Sequence, residues 1–240
     1  PVEEGDPEEV RCYPLIGGLF GVIDGSDEAS ATLENIRIRG LEAYVGGLFG
    51  GVAFDANFTT IRNVHLMKSE ATGEVPSIDI ENTDASGFIV HAVRPTITSS
   101  SARVTISMSG GSIASPHVPA GVHADTALFI GYLIGGVLER VAAKGEISRA
   151  GERDGNITGV LGGLIGTIRT PESASDVKIS DCIIDVSIAK DSSLAGGLIG
   201  RAAFFHPPLS IRRCGVGFAT SPSSVSSHSA SGALMGELDE

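Results

Sequence analysis

A five-residue glycine box recurs along this chain, and a chain built from repeats folds only where one unit can shelter the next. The box reads Gly-Gly-Leu-(Phe/Ile)-Gly at residues 17–21, 46–50, 162–166 and 196–200. Its glycines are Gly17, Gly18 and Gly21; Gly46, Gly47 and Gly50; Gly162, Gly163 and Gly166; and Gly196, Gly197 and Gly200. Degenerate copies fall at 86–90, 128–131 and 232–236, and the box centres are then residues 19, 48, 88, 129, 164, 198 and 234. The intervals run from 29 to 41 residues, which implies seven units of about 36 residues.

A second motif follows each of the first six boxes, at 32–38, 60–66, 102–106, 138–143, 179–184 and 211–216. Apolar residues occupy its positions 1, 4 and 6, as in Leu33, Ile36 and Ile38. The last two alternate as in a strand. The 1-to-4 gap would suit a helix, but β-branched residues dominate and good helix formers are scarce, so strand is expected. The 32 glycines, with no G-x-y period, exclude collagen and penalise helix interiors. A hydrophobic content of 42% excludes disorder.

One such unit cannot close a core alone. The expected fold is therefore all-β: a parallel β-solenoid of about seven coils, with two main short strands per coil. A globular α/β domain is the runner-up. The expected organisation is an acidic leader or cap at 1–14, a single solenoid at 15–236 and an acidic tail at 237–240. Seven boxes with no helical pattern after them argue against a dinucleotide fingerprint, which needs one copy at a strand-to-helix junction.

The formal net charge is −12, from 17 basic and 29 acidic residues. Eight of the acids crowd the two ends, and without them the body carries only −4. That balance argues against nucleic acid and anionic membrane surfaces as partners. The longest apolar stretch, residues 127–138, falls short of the ~20 residues a spanning helix needs, so no membrane insertion is expected. The chain starts at Pro1 with no signal-peptide core, which fits either a removed leader or a segment of a longer protein.

The two motifs together, Gly-Gly-Leu-Ile-Gly followed by Ile-Ser-Asp-Cys or Ile-Arg-Asn-Val, resemble the GLUG repeat of bacterial secreted and cell-wall proteins. That family includes adhesin-like proteins and the non-catalytic region of IgA-specific metallopeptidases. The resemblance covers about residues 15–236 and departs at 87–90, where the closing glycine is missing. It implies a bacterial extracellular or cell-surface location and a β-helix-like region attached to further domains of a larger parent. The His-Glu-x-x-His zinc motif of the metallopeptidase relatives does not occur in this sequence.

The outward positions after each second motif are Arg37 and Arg39, His65 and Met67, Thr105 and Ser107, Ala142 and Lys144, Ile183 and Asp185, Gly215 and Gly217, and convergent chemistry on one face would show there. A single carboxylate, Asp185, sits in that set, which lacks the paired acids of a polysaccharide-cleaving site. Arg37, Arg39 and His65 are the one charged neighbourhood there and the candidate binding residues for an anionic ligand. A solvated edge that discourages sheet association is the plainer reading. The loop at 24–28, from Asp24 to Glu28, partly matches a calcium loop but lacks its full ligand spacing. No metal site and no cofactor are expected. Cys182 and Cys214 share one motif position with Ile36, Val64, Val104 and Val141, and so should form a core ladder of two thiols; Cys12 lacks a partner.

The sequence therefore points to a non-catalytic repeat segment of a bacterial surface protein, adhesin-like, that presents or extends a binding face. A host glycan or matrix protein is the expected partner. A β-helix carbohydrate-active enzyme and a passive stalk are the alternatives.

Overall fold

The structure is a computed structural model that describes residues 15–26, 28–45, 48–81, 85–109, 124–150, 159–170, 176–204, 209–217, 225–232 and 235–239. Cys12, the leader, Gly46, Gly47 and Asp27 lie outside the described residues. The described chain is all strand and turn, and its strands pair in parallel with their counterparts one coil away. It is a parallel β-solenoid of seven coils. At ~4.8 Å per coil the stack is about 34 Å tall.

Each coil is richer than two strands: it runs through four flanks. The first flank leads into the glycine box and includes Leu48–Gly50, Ala124–Ala127 and Gly159–Gly162. The second leads out of the box as a seven-stranded sheet that includes Ala53–Asn57, Ile89–Val93, Ile130–Ile134, Ile165–Thr170 and Ile199–Phe204. The third is a six-stranded sheet built from the first residues of the second motif, among them Thr59–Arg62 and Val177–Ser180. The fourth carries the rest of that motif, as in His65–Met67 and Ser101–Ser109. The strand Ile183–Gly196 passes from the fourth flank into the first of the next coil, which fuses the two into one 14-stranded sheet.

The register corrects two repeat assignments. Gly17 pairs with Gly50, and Gly50 with Ser86, so the second box is residues 50–54 rather than 46–50 and its centre is Val52 rather than Leu48. The first two intervals become 33 and 36 residues instead of 29 and 40. Likewise Thr96 pairs with Thr60 and Ser101 with His65, so the third copy of the second motif is residues 96–102. Ser100, not Val104, then takes the cysteine position, and Ser101 and Arg103 replace Thr105 and Ser107 in the outward set. Ser100 passes for a core residue because its hydroxyl is bonded, accepting from Val64 N at 3.2 Å and donating to Thr98 O at 3.0 Å.

The helix-like 1-to-4 gap of the second motif is a corner. Position 3 has positive φ in every copy: Asn35 (58°), Asn63 (52°), Ser99 (51°), Arg140 (52°), Asp181 (56°) and Arg213 (52°). A left-handed residue turns the chain from the third flank to the fourth, so positions 1 and 4 both face inward although three residues apart. Its N–H bonds to the next coil, as in Asn63 N to Thr98 O at 3.1 Å.

The box makes the opposite, tight bend between the first two flanks. A Cβ at Gly51 would stand 2.2 Å from Gly87 O, and one at Gly163 2.0 Å from Gly197 O, so coils stack there backbone on backbone. The box centres fill the interior: Val52, Phe88, Phe129 and Leu164 are fully buried, and the rings of Phe88 and Phe129 stack at 4.3 Å.

Candidate functional site

On the outer surface of the fourth flank, the structure brings the sequence-derived candidates together. Arg37 pairs in register with His65, and Arg39 with Met67. His65 is a bracket between coils: Nε2 contacts Asn63 Oδ1 at 2.7 Å, and Nδ1 contacts Ser101 Oγ at 2.8 Å. Asn63 in turn donates to Asn35 Oδ1 at 2.6 Å. Burial, then the charge of Arg37, pushes the imidazole below its usual pKa, which favours the neutral ring. Arg39 pairs with Glu70 at 2.7 Å. Arg37 and Arg103 make no ion pair among the described residues. Farther along this flank Lys144 and Asp185 form a close ion pair, which occupies the carboxylate that an enzymatic reading would need.

At the corner beside it, Arg213 grips Asp181 with two bonds of 2.6 and 2.7 Å, and the guanidinium holds that carboxyl below its ordinary range. One position inward stand Cys182, fully buried, and Cys214, half-buried, both free thiols. Burial pushes the Cys182 thiol up to about 12. Its Sγ lies 3.2 Å from Ser180 O, while Cys214 Sγ lies 3.4 Å from Arg212 O. Both thus pack as small apolar groups with weak S–H donors.

A second decorated surface, on the second flank, escaped the sequence reading. Asp55, His91, Tyr132, Thr167 and Arg201 stand in one register row on five successive coils. Two residues on along the same strands, Asn57, Val93 and Ile134 form a parallel row that Arg169 and Ala203 extend. His91 Nδ1 meets Asp55 Oδ1 at 3.1 Å, and the His91 ring stacks on Tyr132 at 5.4 Å, 18° from parallel. Tyr132 is bonded to Arg169; burial raises its phenol pKa and that bond opposes the rise. On the next coil of the row Thr167 Oγ1 donates to Asp125 Oδ1 at 3.1 Å, with both residues buried. Asp125 comes from the first flank, so this bond ties the two sides of the box bend together.

A simple signal would have found this row, because each member lies three residues after a box centre once Val52 replaces Leu48. Among the described residues no group of three or more histidines, cysteines or carboxylates is placed to hold a metal ion. Of the acids in the 24–28 loop, Asp24 and Glu28 are described; the Asp24 carboxylate lies 3.4 Å from Asn57 Nδ2 and Glu28 is exposed.

Fold and surfaces define a parallel β-solenoid whose outward rows repeat one side chain per coil. Comparison with family models, with characterised proteins and with solved structures found no match. The likeness to the GLUG repeat therefore rests on the motifs alone.

Proposed function

We propose that this chain is a non-catalytic, adhesin-like repeat segment of a bacterial extracellular surface protein, whose stacked coils present a binding face. The observation that carries this reading is the pair of outward rows, in which side chains from successive coils are fixed against one another. His65 is bonded within its own coil and to the next, Asn63 extends that chain to Asn35 on the coil before, and His91 touches both its neighbours. Such rows preorganise a surface for a repeating ligand without a conformational change. The ion pair of Asp185 with Lys144 favours this role over a polysaccharide lyase or hydrolase, whose acid–base work needs a second carboxylate nearby.

The test is a binding screen of the purified chain against host-type glycans and matrix proteins. Saturable binding to one of them is expected. Uniformly negative results would leave a passive stalk. Cleavage of an acidic polysaccharide that Asp185→Asn abolishes would replace the reading with an enzymatic one.

A further inference from the structure

We infer that the outer surface of the seven-stranded sheet binds a carboxylate-bearing glycan, with Arg169 and Arg201 receiving the carboxylate and Val93 and Ile134 receiving the sugar ring. This deepens the reading of the chain as a binding module and rests on it.

The surface has two unlike halves. On coils three and four, Val93 and Ile134 are half-buried beside the stacked rings of His91 and Tyr132, which makes an apolar strip with polar edges. On the next two coils Arg169 and Arg201 follow, Arg169 already in contact with Tyr132. From coil three to coil six the surface spans about 14 Å, room for a short oligosaccharide. A pyranose ring offers an apolar C–H face and a hydroxyl rim, and a uronate adds a planar carboxylate. That combination matches an aliphatic strip, a phenol and imidazole, and guanidinium forks on two neighbouring rows. Each guanidinium has five N–H donors in a fork that matches a carboxylate, so its bonds within the protein do not exhaust it.

The surface is rigid. Ala92, Leu133, Ile168 and Ala202, the residues between the two rows, are fully buried in the core. The Asp125–Thr167 bond braces the floor from the neighbouring flank. An extended acidic peptide fits less well. Peptides join sheets by pairing with an open strand edge, whereas these strands have both edges paired within the stack. Arg169 and Arg201 stand on successive coils of this surface, with Glu237 the register partner of Arg201 on the coil beyond, so the carboxylate is received on the Arg169 side of the pair.

The experiment is calorimetric titration of the whole chain with a galacturonate hexamer, a neutral galactose hexamer of equal length and poly-glutamate. The uronate should bind, with affinity falling as salt rises, and the neutral sugar should bind at least tenfold more weakly. Arg169→Gln/Arg201→Gln should lose at least tenfold in uronate affinity, with the circular dichroism spectrum and Tm unchanged. Arg103→Gln, on the fourth flank, should bind as the parent does. If the double variant misfolds, Arg169→Lys, which keeps the charge but not the fork, should weaken binding by a smaller factor. Uronate binding lost in Arg37→Gln but kept in Arg169→Gln/Arg201→Gln would overturn this site and leave the adhesin reading standing. Poly-glutamate binding as tight as the uronate would overturn the glycan assignment. Silence towards these probes together with a negative matrix and glycan screen would sink the broader reading as well.

Discussion

The same sequence motif behaves differently at the end of the stack and in its middle. Leu19, Val52, Phe88, Phe129, Leu164 and Leu198 all occupy the box centre, yet Leu19 is 43% exposed while Phe88, Phe129 and Leu164 are completely covered. The second motif behaves alike: Ile211 at the far end is 37% exposed, whereas Ile61, Ile97, Leu138 and Ile179 are fully buried. A leucine in this motif is thus not a core residue by itself; the coil above and the coil below make it one. This is the one-dimensional cooperativity of a solenoid, in which stability sits at the interfaces between units.

The largest effect should come from the glycines of the box bend. Gly163 faces Gly197 O with no room for a Cβ and has Ile184 Cγ2 and Val186 Cγ1 within 2.9 Å of that point. Gly163→Val should therefore cost more than ~4 kcal/mol, enough to abolish folding of the chain. Gly21, the closing glycine of the terminal box, has open space where its Cβ would stand, and Gly21→Val should change stability by less than ~0.5 kcal/mol. Urea unfolding of the pair measures the difference. Equal tolerance at both positions would break the claim that stacking, rather than local turn preference, demands the glycine.

The box centres come next. Phe129→Ala removes a ring that stacks on Phe88 at 4.3 Å in a closed interior, and should cost about 3–5 kcal/mol. Leu19→Ala, in the outermost coil, should cost less than ~1 kcal/mol. A small penalty at both sites would mean that the central coils separate independently of their neighbours.

Legibility in the sequence follows the same division. The solenoid was readable because box and second motif recur often enough to survive degenerate copies. The number of flanks was not, because a corner built on a positive φ leaves no fixed residue type: Asn, Ser, Arg and Asp all fill it, so the gap looked like helical spacing. The second box was misplaced because Gly-Gly-Leu-Phe-Gly at 46–50 is a better textual match than Gly-Gly-Val-Ala-Phe at 50–54. Pairing along the backbone, not letter identity, decides between them. The Arg37–His65 neighbourhood was found because it follows the regular motif. The row through His91 and Tyr132 follows the box centres rather than the second motif, and only its Asp55 end depends on the corrected register.

Cys182 and Cys214 compress the comparison into one motif position on adjacent coils. Cys182 is enclosed and its thiol pushed up to about 12 by burial, whereas Cys214, nearer the open end, is half-buried. In a Cys12→Ser background, Ellman's reagent should label Cys214 more than tenfold faster than Cys182 under native conditions. In urea the two rates should converge. Equal native rates would mean that the last coils open together, and the boundary between core and end would move inward.

The smallest effect should be one of pH, on the bracket between the second and third coils. Because Asn63 Oδ1 can only accept, His65 Nε2 carries the proton and Nδ1 accepts from the Ser101 hydroxyl, an arrangement that needs a neutral ring. Its folded pKa lies below the ordinary value, so the unfolded chain binds a proton first as pH falls. Stability then rises with pH between the two values, and declines below about pH 6.5, the ordinary histidine range. His65→Gln, which keeps a donor and an acceptor but cannot titrate, should flatten that part of the Tm profile and leave the rest unchanged. A profile that keeps its slope in the variant would shift the source to another histidine. The bracket would then be a contact that joins two coils without coupling their stability to protonation.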